Sequence, residues 1–104
     1  MISFLKKLLG GNQPDWKLLM EKGAIVVDVR TPGEYAKGHV PKSINVPLPE
    51  IDRKLSVIKK YKKPIVTCCR SGARSKAAAS KLQSYGLEAY NGGSWQRVQS
   101  LFKS

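Results

Sequence analysis

The sequence predicts an α/β fold, a mostly parallel central sheet with helices on both faces. Three observations carry that expectation. Residues 24–29 and 64–68 are apolar, largely β-branched runs of strand length, which is how buried parallel strands read when both faces are covered. Segments with apolar residues at helical spacing stand between them, so strands alternate with helices along the chain. The 104 residues, 41% of them hydrophobic, suffice for one compact domain and leave no room for a second.

Taken in order, an N-terminal amphipathic extension is expected over residues 1–13, followed by the domain over residues 14–104. Ile2, Phe4, Leu5, Leu8 and Leu9 fall close to helical spacing, and Gly10-Gly11 ends the pattern. Lys6 and Lys7 interrupt the apolar residues before a signal-peptide core or a bilayer span develops. Neither an export signal nor a stable membrane anchor is therefore expected, and the expected location is cytoplasmic. Pro14 and Asp15 open a helix over residues 16–21, with Gly23 where a C-terminal cap belongs. The strand at 24–29 carries Asp28 at its carboxyl end, where ligand sites of open α/β sheets lie.

Thr31-Pro32-Gly33-Glu34 has the form of a capping box with proline at the first helical position, so a short helix should run to Lys37 and stop at Gly38. Residues 43–46 read as a brief strand. Leu48, Ile51, Leu55 and Ile58 then share one face of a helix expected over residues 49–60. After the strand at 64–68, Ala77, Ala78, Ala79, Leu82 and Tyr85 mark a helix ended by Gly86. Residues 87–90 form the last expected strand and residues 91–93 a turn. Ser94 can cap a final helix with Trp95, Val98, Leu101 and Phe102 on one side.

The net charge of +12, from 19 basic and seven acidic side chains, makes a surface that favours anions. Lys59, Lys60, Lys62 and Lys63 cluster without an aromatic-studded groove, zinc spacing or helix-turn-helix pattern, so they read as a solvated face and no specific nucleic-acid partner is expected. Cys68 and Cys69 are adjacent, and a bridge between neighbours is strained, so both are expected as free thiols.

Cys69 stands where a strand hands over to a helix, among backbone N–H groups that lack intrahelical partners and favour an anion. Arg70 and Arg74 add positive charge in the same loop, and such surroundings lower a thiol pKa from about 8.5 into the range of roughly 3.5 to 7.5. Ser71, Gly72 and Ala73 are small enough for the backbone to curl into an anion-binding nest. Arg74, at the loop's end, is expected to guard the mouth and attract an anionic substrate. Arg70 either faces substrate or turns back to support the loop. Cys68 is expected on the opposite face of the strand as a small buried hydrophobe. His39 is expected as a structural hydrogen bonder, Asp28 and Arg30 as a structural pair, and Glu34 as a cap that pairs with Arg30.

Several segments agree in order and spacing with one family. Ile25-Val26-Val27-Asp28-Val29-Arg30, Glu34-Tyr35, Gly38-His39-Val40-Pro41, Asn45-Val46-Pro47 and Cys69-Arg70-Ser71-Gly72-Ala73-Arg74-Ser75 resemble the rhodanese domain of single-domain sulfurtransferases over roughly residues 14–98. Where that family commonly has Gly-Ala, this chain has Lys42-Ser43, and Trp95 follows Gly93 by two residues. The resemblance implies a persulfide on Cys69, a substrate cradle of Arg70, Ser71, Gly72, Ala73, Arg74 and Ser75, and support from Asp28, Arg30 and Glu34. It implies transfer of sulfane sulfur from thiosulfate or a persulfide donor to a thiol, cyanide or protein persulfide acceptor, with no cofactor and no metal. Two alternatives stand beside it. Phosphatases and arsenate reductases related to this fold use five residues between cysteine and arginine, whereas four separate Cys69 from Arg74, and only Cys68 gives five. The other alternative is a non-enzymatic module that binds an anion or a protein.

Overall fold

The computed structural model of the protein describes residues 13–103, so the helix expected over residues 1–9 lies outside the described residues. Ten elements follow in order: α1 (Trp16–Glu21), β1 (Ile25–Asp28), α2 (Pro32–Ala36), β2 (Ile44–Asn45), a 3-10 turn (Leu48–Glu50), α3 (Leu55–Lys60), β3 (Ile65–Cys69), α4 (Ala73–Ser84), β4 (Ala89–Ser94) and α5 (Trp95–Leu101). The four strands form one sheet in the order β2-β1-β3-β4, with every neighbouring pair parallel.

Alternation along the two central strands divides the core between the two faces of the sheet. Val27, Ile65 and Cys69 pack with Ile51, Ile58, Ala78 and Leu82, so α3, α4 and the segment before α3 cover one face. Val26, Val66 and Cys68 pack with Leu19 and Val98, so α1 and α5 cover the other. The expected α/β architecture is therefore observed, with a sheet that is parallel throughout and helices on both faces.

Local signals place most boundaries within a residue or two. Asp15 accepts from the Leu18 N–H at the start of α1. Thr31 and Glu34 form both halves of the capping box at α2, and Ser94 accepts from the Arg97 N–H at α5. Two expectations are corrected. The helix expected over residues 49–60 is a 3-10 turn followed by the six-residue α3, with no side-chain cap at either start. Ile51 and Ile58 are nonetheless both fully buried, so the periodicity located the buried face correctly while the backbone between them takes tighter turns.

The turn expected at 91–93 is instead part of β4, which runs through both glycines. The register explains it: Thr67 pairs with Asn91 and Cys69 with Ser94, so β4 holds one residue more than β3 over this stretch, a bulge. Gly92 is the point of closest approach, because a Cβ there would lie 2.4 Å from Val98 Cγ2 and 2.9 Å from the Thr67 carbonyl oxygen. Gly93, at φ +87°, absorbs the extra residue. The bulge lies beside the carboxyl end of β3, against the loop that follows Cys69.

Candidate active site

β3 ends on Cys69 and α4 begins at Ala73, so three residues turn the chain from strand to helix. Gly72 makes the turn in the left-handed region, at φ +106°, which an L side chain rarely adopts. The turn aims backbone donors at the sulfur. The Gly72 N–H lies 3.0 Å from Cys69 Sγ and the Ser75 N–H 3.4 Å, with Ser75 Oγ also at 3.4 Å. Cys69 and Ser75 have no exposed surface. Thr67, buried on the same face of β3, donates its hydroxyl to the Ser75 carbonyl at 2.7 Å and ties the first turn of α4 to the sheet.

Burial pushes the Cys69 thiol up, and the hydrogen bonds outweigh it. The Ser75 hydroxyl, the Ser75 N–H, the Gly72 N–H and the Ser71 N–H together hold its pKa below the ordinary thiol value. The backbone donors are those expected from the sequence; the Ser75 hydroxyl joins them, in place of the Arg70 and Arg74 charges that were expected to add to the effect. Arg70 is exposed, and no hydrogen bond or ion pair engages its guanidinium among the described residues.

Arg74 turns its guanidinium fork to Glu34, with contacts of 2.8 and 3.0 Å to the two carboxylate oxygens. That contact, then the N–H of Thr31, lowers the Glu34 pKa to about 2. The pairing of Glu34 with Arg30 expected from sequence is corrected here: Arg30 reaches only the Glu34 carbonyl, at 3.3 Å. Position along the chain favoured Arg30, but α2 carries the Glu34 carboxylate across to α4. Glu34 therefore clamps the last arginine after Cys69 to the capping box of α2.

Asp28 and Arg30 form a buried pair. Arg30 Nη2 lies 2.6 Å from Asp28 Oδ2 and donates also to the Gly38 carbonyl at 2.7 Å, while the guanidinium carbon sits 5.0 Å from the Trp95 ring centre. All three guanidinium nitrogens and both carboxylate oxygens are engaged, and removing one partner of such a pair costs about 3–5 kcal/mol. No hydrogen bond of the pair reaches Cys69 among the described residues. His39 stacks on Tyr35 with ring centres 3.8 Å apart and donates Nδ1–H to the Tyr35 carbonyl, so it is held by its own turn.

Cys68 faces the other side of the sheet, among Val26, Val66, Leu19 and Val98, and is fully buried. Burial first, then the charge of Asp28, pushes its thiol well above the usual range. No backbone N–H among the described residues converges on it. The five-residue count that would favour phosphatase chemistry thus starts from a sulfur on the wrong face.

One residue of the site was not anticipated. Asn91 reaches from the β4 bulge to the loop, accepting from the Ser75 hydroxyl at 2.6 Å and the Gly93 N–H at 2.9 Å, and donating to the Gly72 carbonyl at 3.2 Å. Its sequence signal, Asn-Gly-Gly, read as a turn; as a bulge signal within a strand it would have pointed here.

Comparison with known proteins places these residues in context. The family model of the Rhodanese-like domain matches residues 13–100. A sulfurtransferase of Allochromatium vinosum is 37% identical over 70 residues, and the match covers 67% of this chain and 64% of that protein. The thiosulfate sulfurtransferase GlpE of Pseudoalteromonas translucida is 32% identical, with 69% of this chain and 68% of that protein covered. Among solved structures, a rhodanese-related protein from Thermoplasma volcanium superposes with a TM-score of 0.69 at 28% identity, covering 83% of this chain and 84% of that one.

Proposed function

The chain belongs to the rhodanese-like domain family, and from that premise we propose that it is a sulfurtransferase that carries sulfane sulfur as a persulfide on Cys69. The observation that carries the reading is the convergence of the Gly72 and Ser75 N–H groups on a sulfur whose thiolate they favour. The names borne by relatives, sulfurtransferase and thiosulfate sulfurtransferase, support the same chemistry.

The reaction is a double displacement. The Cys69 thiolate attacks the outer sulfur of thiosulfate, a sulfur–sulfur bond forms, and the donor's own sulfur–sulfur bond breaks with its electron pair leaving as sulfite. An acceptor thiolate or cyanide then attacks the outer sulfur of the persulfide, and Cys69 departs as thiolate. No proton is abstracted in either attack, so the cycle needs no general base, cofactor or metal. Loop N–H groups serve both steps by stabilising charge on Sγ when it is nucleophile and when it is leaving group.

Arg70, exposed and without a partner among the described residues, is the side chain suited to draw an anionic donor, while Ser71, Gly72, Ala73 and Ser75 form the cradle. Arg74, Asp28, Arg30 and Glu34 hold the loop and its supports. The basic surface adds a general attraction for anions and no sequence-specific reading of nucleic acid. Intact mass measurement after exposure of the reduced protein to thiosulfate tests the reading. One added sulfur is expected, removed by cyanide and absent in Cys69→Ser; an unchanged mass in the wild type would sink it.

A further inference from the structure

The Ser75 hydroxyl has one proton and four acceptors around it, of which a side-chain amide and the Cys69 sulfur concern the chemistry. On one side Asn91 Oδ1 lies at 2.6 Å, and on the other Cys69 Sγ at 3.4 Å. The Gly72 and Gly93 carbonyls, at 3.1 and 3.5 Å, are further acceptors around the same hydroxyl. The orientation of the Asn91 amide is fixed by its other neighbours. Its oxygen must face the Gly93 N–H and its nitrogen the Gly72 carbonyl; the flipped amide would set donor against donor and acceptor against acceptor. Asn91 Oδ1 therefore can only accept from Ser75.

With a proton on Cys69, the two contacts run in one direction: Sγ–H donates to Ser75 Oγ, and Ser75 Oγ–H donates to Asn91 Oδ1. When Cys69 gives its proton to solvent, Sγ becomes an acceptor only, and the Ser75 hydroxyl serves it by rotating its O–H from Asn91 to the sulfur. No covalent bond at Ser75 is made or broken in that rotation. The thiolate gains a donor and Asn91 loses its short contact.

The geometry points to Asn91 as a positioning residue that competes with the Cys69 sulfur for the single proton of the Ser75 hydroxyl. The inference rests on the sulfurtransferase reading for its purpose. In the persulfide the inner sulfur carries no charge and the hydroxyl rests on Asn91. As the acceptor removes the outer sulfur, charge returns to Sγ and the hydroxyl swings to meet it. Asn91 thus opposes the thiolate, keeping it more basic and a stronger nucleophile than the loop alone would, since intrinsic nucleophilicity falls with pKa.

The test is the pH dependence of iodoacetamide alkylation at Cys69, measured in a Cys68→Ala background so that a single thiol reports. Ser75→Ala removes the donor and moves the midpoint up. Asn91→Ala removes the competitor and moves it down by up to about one unit, roughly a tenfold gain in thiolate below the midpoint. Asn91→Asp, nearly the same size, holds the hydroxyl more tightly and adds a negative charge, so its midpoint moves up. A midpoint for Asn91→Ala at or above that of its parent would overturn the inference, because a residue that merely braced the loop would act in the direction of Ser75→Ala. Should Asn91→Ala not fold, Asn91→Asp still decides: an unmoved or lowered midpoint overturns the inference. Alkylation requires no sulfur transfer, so these shifts in a protein that takes no sulfur from thiosulfate would defeat the functional reading and leave the role of Asn91 standing.

Discussion

Cys68 and Cys69 are consecutive, both lack exposed surface, and their thiols are driven in opposite directions. Burial raises both, since it penalises whichever form carries charge. The difference lies in what each sulfur meets. Cys68 points among valines and a leucine, with the Asp28 carboxylate adding repulsion, so its thiol stays protonated. Cys69 points to the face where the strand gives way to α4, and two backbone N–H groups and a hydroxyl close on it. The direction of each thiol's shift follows the donors around the sulfur and not its depth.

The largest expected effect breaks that contrast outright. Cys69→Ser should abolish sulfur transfer, because an alkoxide is not available at neutral pH and a hydroxyl does not form the persulfide analogue. Cys68→Ala should keep most of the activity and lose a little stability, on the order of 1 kcal/mol for one small buried group. Steady-state transfer from thiosulfate to cyanide, with circular dichroism as a folding control, measures both. Equal loss in two folded variants would mean that both thiols take part.

The contrast between the two thiols was legible in the sequence, because period-2 alternation along residues 64–68 assigns adjacent residues to opposite faces wherever the strand persists. The strand order was not written there, but the strand and helix alternation and the capping box at Thr31 were. Two kinds of feature escaped. Asn91-Gly92-Gly93 carries strong turn chemistry, and only the close approach of Gly92 to Thr67 and Val98 turns it into a strand with a bulge, a tertiary effect that local propensity cannot register. The partner of Glu34 also escaped: its choice of Arg74, 40 residues away, over Arg30, four residues away, depends on how α2 sits against the start of α4. Arg74 was read as a free charge at the mouth for the same reason.

That correction divides the loop's two arginines as sharply as the strand divides its two cysteines, and the second expected effect follows from it. Arg70→Ala should lower kcat/KM for thiosulfate about tenfold while sparing a neutral or weakly charged sulfur donor, and the loss should shrink with added salt, as for an exposed charge. Arg74→Ala should depress both donors alike and without salt dependence, since its guanidinium is already taken. Kinetics with both donors at two salt concentrations distinguish the two. A thiosulfate-selective, salt-sensitive loss in Arg74→Ala instead would return the guiding role to Arg74.

The smallest expected effect concerns the Glu34 and Arg74 pair and appears only in acid. The pair is partly exposed, its side chains retaining 31% and 37% of their accessible surface, so screening by solvent keeps its worth well below that of the buried Asp28 and Arg30 pair. The carboxylate nevertheless titrates at about 2, first because Arg74 donates to it and then because the Thr31 N–H does. In an unfolded chain a glutamate titrates near 4.3. A carboxylate whose folded pKa is depressed contributes stability that is fully present above the unfolded value and is lost as pH falls through the folded one. The contribution should therefore be intact at neutral pH and decline between about pH 4.5 and 2. Urea unfolding followed across that window should show the wild type losing more stability than Glu34→Gln, which has no charge there to neutralise. The difference should be modest and should shrink in high salt. If the two proteins lose stability in parallel, the ion pair adds nothing to the fold, and the contact between α2 and the start of α4 is held by packing and by the Thr31 cap alone.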